Sequence, residues 1–188
     1  MSVDQPNHLD LSSRLVDLAS LLRLLGGQAR ELASFEWLEA EGMPAPYQQL
    51  LAHPHHMTVA VESFHGCPVN VQVLQSHREA DSYFREILLR RQSDGEVVQY
   101  GIVRLQLGAL EPEVRQAILA EQLPLGRVLI QFNVLRDVEL VDLWKVILGP
   151  RLADLFSRSV GDVTYGRTAI IHFGTKPALE LLEILRLP

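Results

Sequence analysis

The turns Ser93-Asp94-Gly95 and Gly174–Pro177 each lie between two apolar runs, and they constrain this chain more than any other feature. Turns that short join antiparallel neighbours, whereas a parallel crossover takes about a dozen residues or more and usually a helix. A doubly wound parallel sheet is incompatible with both. The expected fold class is α+β, with a mainly antiparallel sheet of about six strands and helices on one face. Its strand candidates are the Val69, Val71, Val73 alternation, then Tyr83–Arg91, Val97–Leu107, Val138–Leu148 around Trp144, Val163–Phe173 and Ala178–Leu187.

Helical patterns fill the remainder. Leucines from Leu9 to Leu25, with Ser12 or Ser13 as a cap and Gly26-Gly27 as a stop, predict an amphipathic helix packed across the outside of the sheet. Leu32, Phe35, Trp37 and Leu38 predict a second helix over Gln28–Glu41, ending at Gly42 and Pro44-Ala45-Pro46. Tyr47–Leu51 suits one more helical turn, and Met57-Thr58 opens a segment running to Phe64 before the turn His65-Gly66-Cys67-Pro68. Glu111–Glu121 is helical with Pro112 near its start, and Pro150–Arg158 suits a helix or a loop. Pro124-Leu125-Gly126 reads as a helix stop, because proline removes a backbone donor and glycine permits conformations other residues resist.

At 188 residues and 47% hydrophobic composition the chain is the size of one domain, with residues 1–45 a helical segment and 50–188 the core. No repeat or interdomain linker interrupts it. The single Cys67 rules out an intrachain disulfide and fits a reducing, cytoplasmic setting. A net charge of -6, with 17 Lys and Arg spread thinly, argues against general nucleic-acid binding. No apolar stretch reaches the roughly 18 to 20 residues of a membrane span. Pro54 interrupts His53, His55 and His56, and no acid or cysteine completes a metal set, so these three read as solvent-facing loop residues, as do His65 and His77.

Side chains alternate between the faces of a strand, which isolates two charges. Tyr83, Arg85, Ile87 and Leu89 share a face, and Arg85 is its lone charge. Leu179, Leu181, Glu183, Leu185 and Leu187 share another, with Glu183 alone. An unpaired buried ion costs several kcal/mol, so each needs a counter-ion, dense hydrogen bonding or a ligand. Two readings follow: an Arg85–Glu183 salt bridge, or a pocket in which Arg85 takes a carboxylate and Glu183 a hydroxyl. There is no glycine-rich phosphate loop and no nucleophile elbow.

Four stretches lie in an informative order: His56-Met57-Thr58, Phe84-Arg85-Glu86-Ile87-Leu88-Leu89, Pro124-Leu125-Gly126-Arg127, and Lys176-Pro177 with Glu183-Ile184-Leu185. Together, over roughly 50–188, they resemble the chorismate lyase family, its broad divergent branch more than the enterobacterial ubiquinone-pathway enzyme. The resemblance implies an internal ligand pocket under flaps. It also implies conversion of chorismate to 4-hydroxybenzoate and pyruvate without metal or organic cofactor. Arg85 then binds a substrate carboxylate, Met57 lies against the ligand, and Leu125 meets it through its backbone, held there by Pro124 and Gly126. Glu183 takes a catalytic or hydroxyl-binding role. Two departures stand out. The spacing from Pro177 to Glu183 is one residue longer than in the enterobacterial enzyme, which leaves Glu180 as a substitute, and Ile102 replaces an arginine after Gly101. The same fold also serves as the non-catalytic effector-binding domain of bacterial transcription regulators. That alternative makes the chain a small-molecule binder for an aromatic acid, although Met1–Met43 is too short and too weakly basic for a winged helix.

Overall fold

The computed structural model describes residues 18–134, 136–174 and 176–188. Helix α1 (Leu18–Arg23) and α2 (Ala29–Leu32) are separated by a 3-10 turn at Gly26–Gln28. The start of the helix expected from Leu9 lies outside the described residues, and its end falls at Arg23. Where Gln28–Glu41 is predicted helical, only α2 forms, and the chain then enters strand β1 (Ala33–Leu38). Pairing decides this segment. Leu32, Phe35 and Leu38 fit a helix period, but Phe35 packs edge-on to Trp144 at 6.3 Å and the Trp37 indole donates to Asp142 at 3.1 Å, both on strand β5 (Arg136–Leu148). Aromatic cross-strand contacts of this kind override weak local propensity.

Helices α3 (Ala45–Leu51) and α4 (Met57–His65) precede strand β2 (Val69–Glu79). Gly66, at φ +62°, ends α4 in the left-handed region that glycine adopts without strain. Strands β3 (Ser82–Arg91) and β4 (Val97–Gln106) form the expected hairpin. After α5 (Pro112–Leu119) comes α6 (Leu125–Gln131), then β5, α7 (Pro150–Phe156), β6 (Val163–Phe173) and β7 (Lys176–Leu185). The Pro-Leu-Gly triplet is thus a helix start, not a stop. Pro124 is the N-cap of α6, and its carbonyl accepts from the Arg127 and Val128 amides. A residue in that position needs no N–H of its own.

Among the described residues seven strands form one sheet in the order β1-β5-β6-β7-β4-β3-β2, every neighbouring pair antiparallel. The seventh strand, relative to the six expected, is β1. Helical cover, expected on one face, is present on both. Leu21 and Leu32 of α1 and α2, with Phe156 of α7, pack on Tyr100, Ile102 and Leu182 across one face, and α1 lies across it as predicted. On the other, α3 and α4 cover the β2 end while α5 and α6 cover Val103, Ile171 and Leu181. Leu182 and Ile184 of the central strand β7 are fully buried, each contributing on the order of 1.5–3 kcal/mol.

Glu86, fully buried on the α1–α7 face, accepts from the Tyr100 hydroxyl at 2.6 Å and the Gln75 amide at 2.9 Å. Arg151 of α7 grips it with two bonds of 2.5 and 2.7 Å. Its charge is therefore spent on docking α7. Burial, then the Glu86 charge, pushes the Tyr100 phenol well above its ordinary pKa. Among the described residues no helix is long and apolar enough to cross a membrane.

Candidate functional site

Strand register lays three cross-strand rows on the α3–α6 face. Arg85, Val103, Leu181 and Ala169 form one, and Ile87, Gly101, Glu183 and Arg167 the next. Leu89, Gln99 and Leu185 form the third. The starts of α4 and α6 lie over these rows. Between floor and roof is a cavity of about 560 Å³, counting its mouth. All five residues singled out from the sequence, Met57, Arg85, Leu125, Gly126 and Glu183, line it.

Arg85 is 1% exposed, and among the described residues its Nε and Nη1 have no hydrogen-bond partner. Burial lowers the pKa of its guanidinium, while the Tyr83 phenol and the Glu121 carboxylate act in the opposite direction. Tyr83 itself donates to Glu121 at 2.5 Å, and burial followed by that bond pushes its pKa upward. The expected Arg85–Glu183 salt bridge is not formed. Glu183 pairs instead with Arg167, whose Nε stands 2.7 Å from Oε2, and the Gln99 amide approaches Oε1 at 3.4 Å.

Arg167 was missed by the reading of the sequence. It is 1% exposed, and besides Glu183 it donates to the carbonyls of His53 at 2.7 Å and His55 at 3.0 Å. The loop between α3 and α4 is thereby fastened to the floor of the cavity. A signal for it existed: Tyr165, Arg167, Ala169 and Ile171 share a strand face on which Arg167 is the lone charge. Gln99 was missed for the same reason, as the one polar side chain between Gly101 and the apolar end of β4.

The histidines differ in part from the expectation. His55 is exposed, but His55 and His56 line the cavity, and the loop acts through backbone carbonyls. Burial, then the Arg167 charge, lowers the His53 pKa. Among the described residues no group of three or more His, Cys, Asp or Glu could hold a metal ion. Glu180, the substitute for Glu183, faces the other side of the sheet and pairs with Arg104, which also donates to Ser20 of α1. Ile102 likewise packs on that other side, away from the cavity.

The roof is built by close approach. A Cβ on Gly126 would stand 2.9 Å from Thr58 Oγ1 and 3.3 Å from Thr58 Cβ, so only glycine lets α6 meet α4 here. Arg127 pairs with Glu62 of α4, and the same Glu62 accepts from the Val69 amide at 2.9 Å. The N–H groups of Leu125 and Gly126 belong to the first turn of α6, where no intrahelical carbonyl reaches them. As a whole the cavity offers a guanidinium with Nε and Nη1 open, an ion-paired carboxylate, a side-chain amide and apolar walls. Such a lining suits a small, flat, anionic molecule.

No protein-family model matches the sequence, and no curated protein matches it. Solved structures do share its architecture. The gene product SA0254 from Staphylococcus aureus has a TM-score of 0.50 at 12% identity, over 72% of this chain and 90% of that chain. PhnF from Mycobacterium smegmatis has a TM-score of 0.50 at 12% identity, over 71% of this chain and 64% of that one. The ligand-binding domain of a candidate GntR-family transcriptional regulator from Bordetella bronchiseptica has a TM-score of 0.46 at 14% identity, over 63% of this chain and 85% of that one. At such identities the likeness to the first two is one of fold, an α+β chain on an antiparallel sheet.

Proposed function

We propose that this chain binds a small aromatic acid, with the ligand carboxylate on Arg85. One observation carries the reading: a buried guanidinium whose Nε and Nη1 have no partner among the described residues lines the cavity between the sheet and the starts of α4 and α6. A carboxylate supplies two acceptors in the geometry of that fork and neutralises the charge. Apolar neighbours such as Val103 and Leu181 suit the faces of a ring. Titration calorimetry with 4-hydroxybenzoate tests it. Binding by the native chain and its loss in Arg85→Met is the expected result; equal binding by both removes Arg85 from the site.

The presence of Glu183 in the same cavity supports a second reading, chorismate pyruvate-lyase activity. Chorismate then sits with its ring carboxylate on Arg85. The ether C–O bond to the ring breaks, the three-carbon unit leaves as the enolate of pyruvate, the ring loses a proton as it aromatises to 4-hydroxybenzoate, and the enolate takes up a proton to give pyruvate, so no net proton is gained or lost. Paired with Arg167, the Glu183 carboxylate is suited to accept the ring proton. Incubating purified protein with chorismate separates the two. Release of 4-hydroxybenzoate and pyruvate supports the lyase, and 4-hydroxybenzoate binding without turnover supports the binder. Neither binding nor turnover excludes both.

A further inference from the structure

Two polar groups of opposite character are left unsatisfied around this one cavity. The donor is Arg85. The acceptor is Gln99 Oε1, which is buried and has no partner among the described residues, on a residue 3% exposed. Both residues line the cavity. The amide orientation is set by its neighbour: Nε2 faces the Glu183 carboxylate at 3.4 Å, and a flipped amide would set Oε1 against that oxygen instead. Because Glu183 stands opposite Gly101, two residues along β4 from Gln99, the amide reaches from its own row toward the middle one. Both Glu183 oxygens already have partners, Arg167 on Oε2 and Gln99 on Oε1.

We infer that Gln99 determines specificity, accepting a hydrogen bond from a hydroxyl or amino group on the ligand at the end remote from its carboxylate. The proposal rests on the aromatic-acid reading and narrows it to acids that carry such a donor. Positions support the division of labour. Gln99 lies four residues along β4 from Val103, the cross-strand partner of Arg85, a separation of about 13 Å between backbone rows before the two side chains reach inward. In the row between them Gly101 brings no side chain of its own, and the Ile87 side chain lies against it, 3.2 Å from where a Cβ would stand, giving a ring an apolar surface. A site built to receive a donor rejects analogues lacking it, because its acceptor is then buried and unpaired.

The test is titration calorimetry with 4-hydroxybenzoate, 4-aminobenzoate, 4-methoxybenzoate and benzoate, on the native chain, Gln99→Leu and Gln99→Met. The native chain is expected to prefer the hydroxyl and amino acids by about tenfold, the effect of one net hydrogen bond. Both variants should bring the four acids to a common affinity. Thermal melting establishes that each variant is folded, and Gln99→Met keeps an unbranched side chain of similar length should Gln99→Leu fail. A preference that survives in a folded variant assigns the acceptor to another group and overturns the inference. So does equal native binding of all four acids, which leaves the aromatic-acid reading intact. No binding of any of them ends that reading and this inference together.

Discussion

Arg85→Met is expected to make the protein more stable and unable to bind. In the free chain the guanidinium is buried with two of its nitrogens unpartnered. An unsatisfied buried polar group costs about 1–3 kcal/mol, and more when charged. Tyr83 and Glu121 offset part of that cost. Replacing the head group with an unbranched apolar side chain should therefore leave a net gain of about 2 kcal/mol. For a domain of this size that raises the Tm by about 4–8 °C. Ligand binding reverses the ranking: an aromatic acid at 100 times its Kd stabilises the native chain by about 2.7 kcal/mol and the variant not at all. Scanning calorimetry of both proteins, with and without 4-hydroxybenzoate, measures all four quantities. If Arg85→Met melts below the native chain without ligand, or keeps the ligand-induced shift, Arg85 is a structural cation and the site has been misplaced.

Three further outcomes follow from the same geometry. Arg167→Met strands Glu183 and releases two loop carbonyls; removing one partner of a buried pair should cost about 3–5 kcal/mol in urea unfolding, and a loss below 1 kcal/mol would refute the tie. Gly126→Ala sets a methyl group 2.9 Å from Thr58 Oγ1, so it should destabilise by about 1–3 kcal/mol, and adding Thr58→Ala should recover at least half, read by thermal melting. His53 and His65 both have pKa values lowered chiefly by burial, so the folded chain takes up protons less readily than the unfolded one. Their contribution is present above about pH 6.5 and is lost as pH falls through the folded pKa values. The Tm should drop below that pH, and His53→Gln with His65→Gln should flatten the slope.

Much of this was legible in the sequence because strand parity is strict. Alternation singled out Arg85 and Glu183 as the lone charge on each of two strand faces, and the register brings those faces to one side of the sheet. The same test applied to β6 and β4 finds Arg167 and Gln99, which the family resemblance did not point to. What alternation could not supply was partner choice. Nothing local says that Glu183 meets Arg167 across a strand pair and leaves Arg85 open, since that depends on β6 and β7 being neighbours. Strand β1 was lost for a related reason: Leu32, Phe35 and Leu38 satisfy a helical period, and it is Trp144 and Asp142 of a distant strand that decide against it. Pro124 was misread in direction, because a proline that ends one helix and a proline that begins the next look alike without the intervening chain. Gly126 was expected to hold the Leu125 backbone against a ligand, whereas the contact that requires glycine there, with Thr58, belongs to packing between two helices.

Glu180 and Glu183 also bear on how the sheet assembles. They lie three residues apart on the central strand, face opposite sides, and each finds an arginine: Arg104 on one side and Arg167 on the other. A slip of β7 by one residue would invert both at once, leaving two carboxylates among apolar side chains. A strand of mostly leucine otherwise has little to distinguish one alignment from the next. The two charges therefore act as a proofreading pair, and the error they penalise, by several kcal/mol for each unpaired ion, is misalignment of the strand on which the cavity is built.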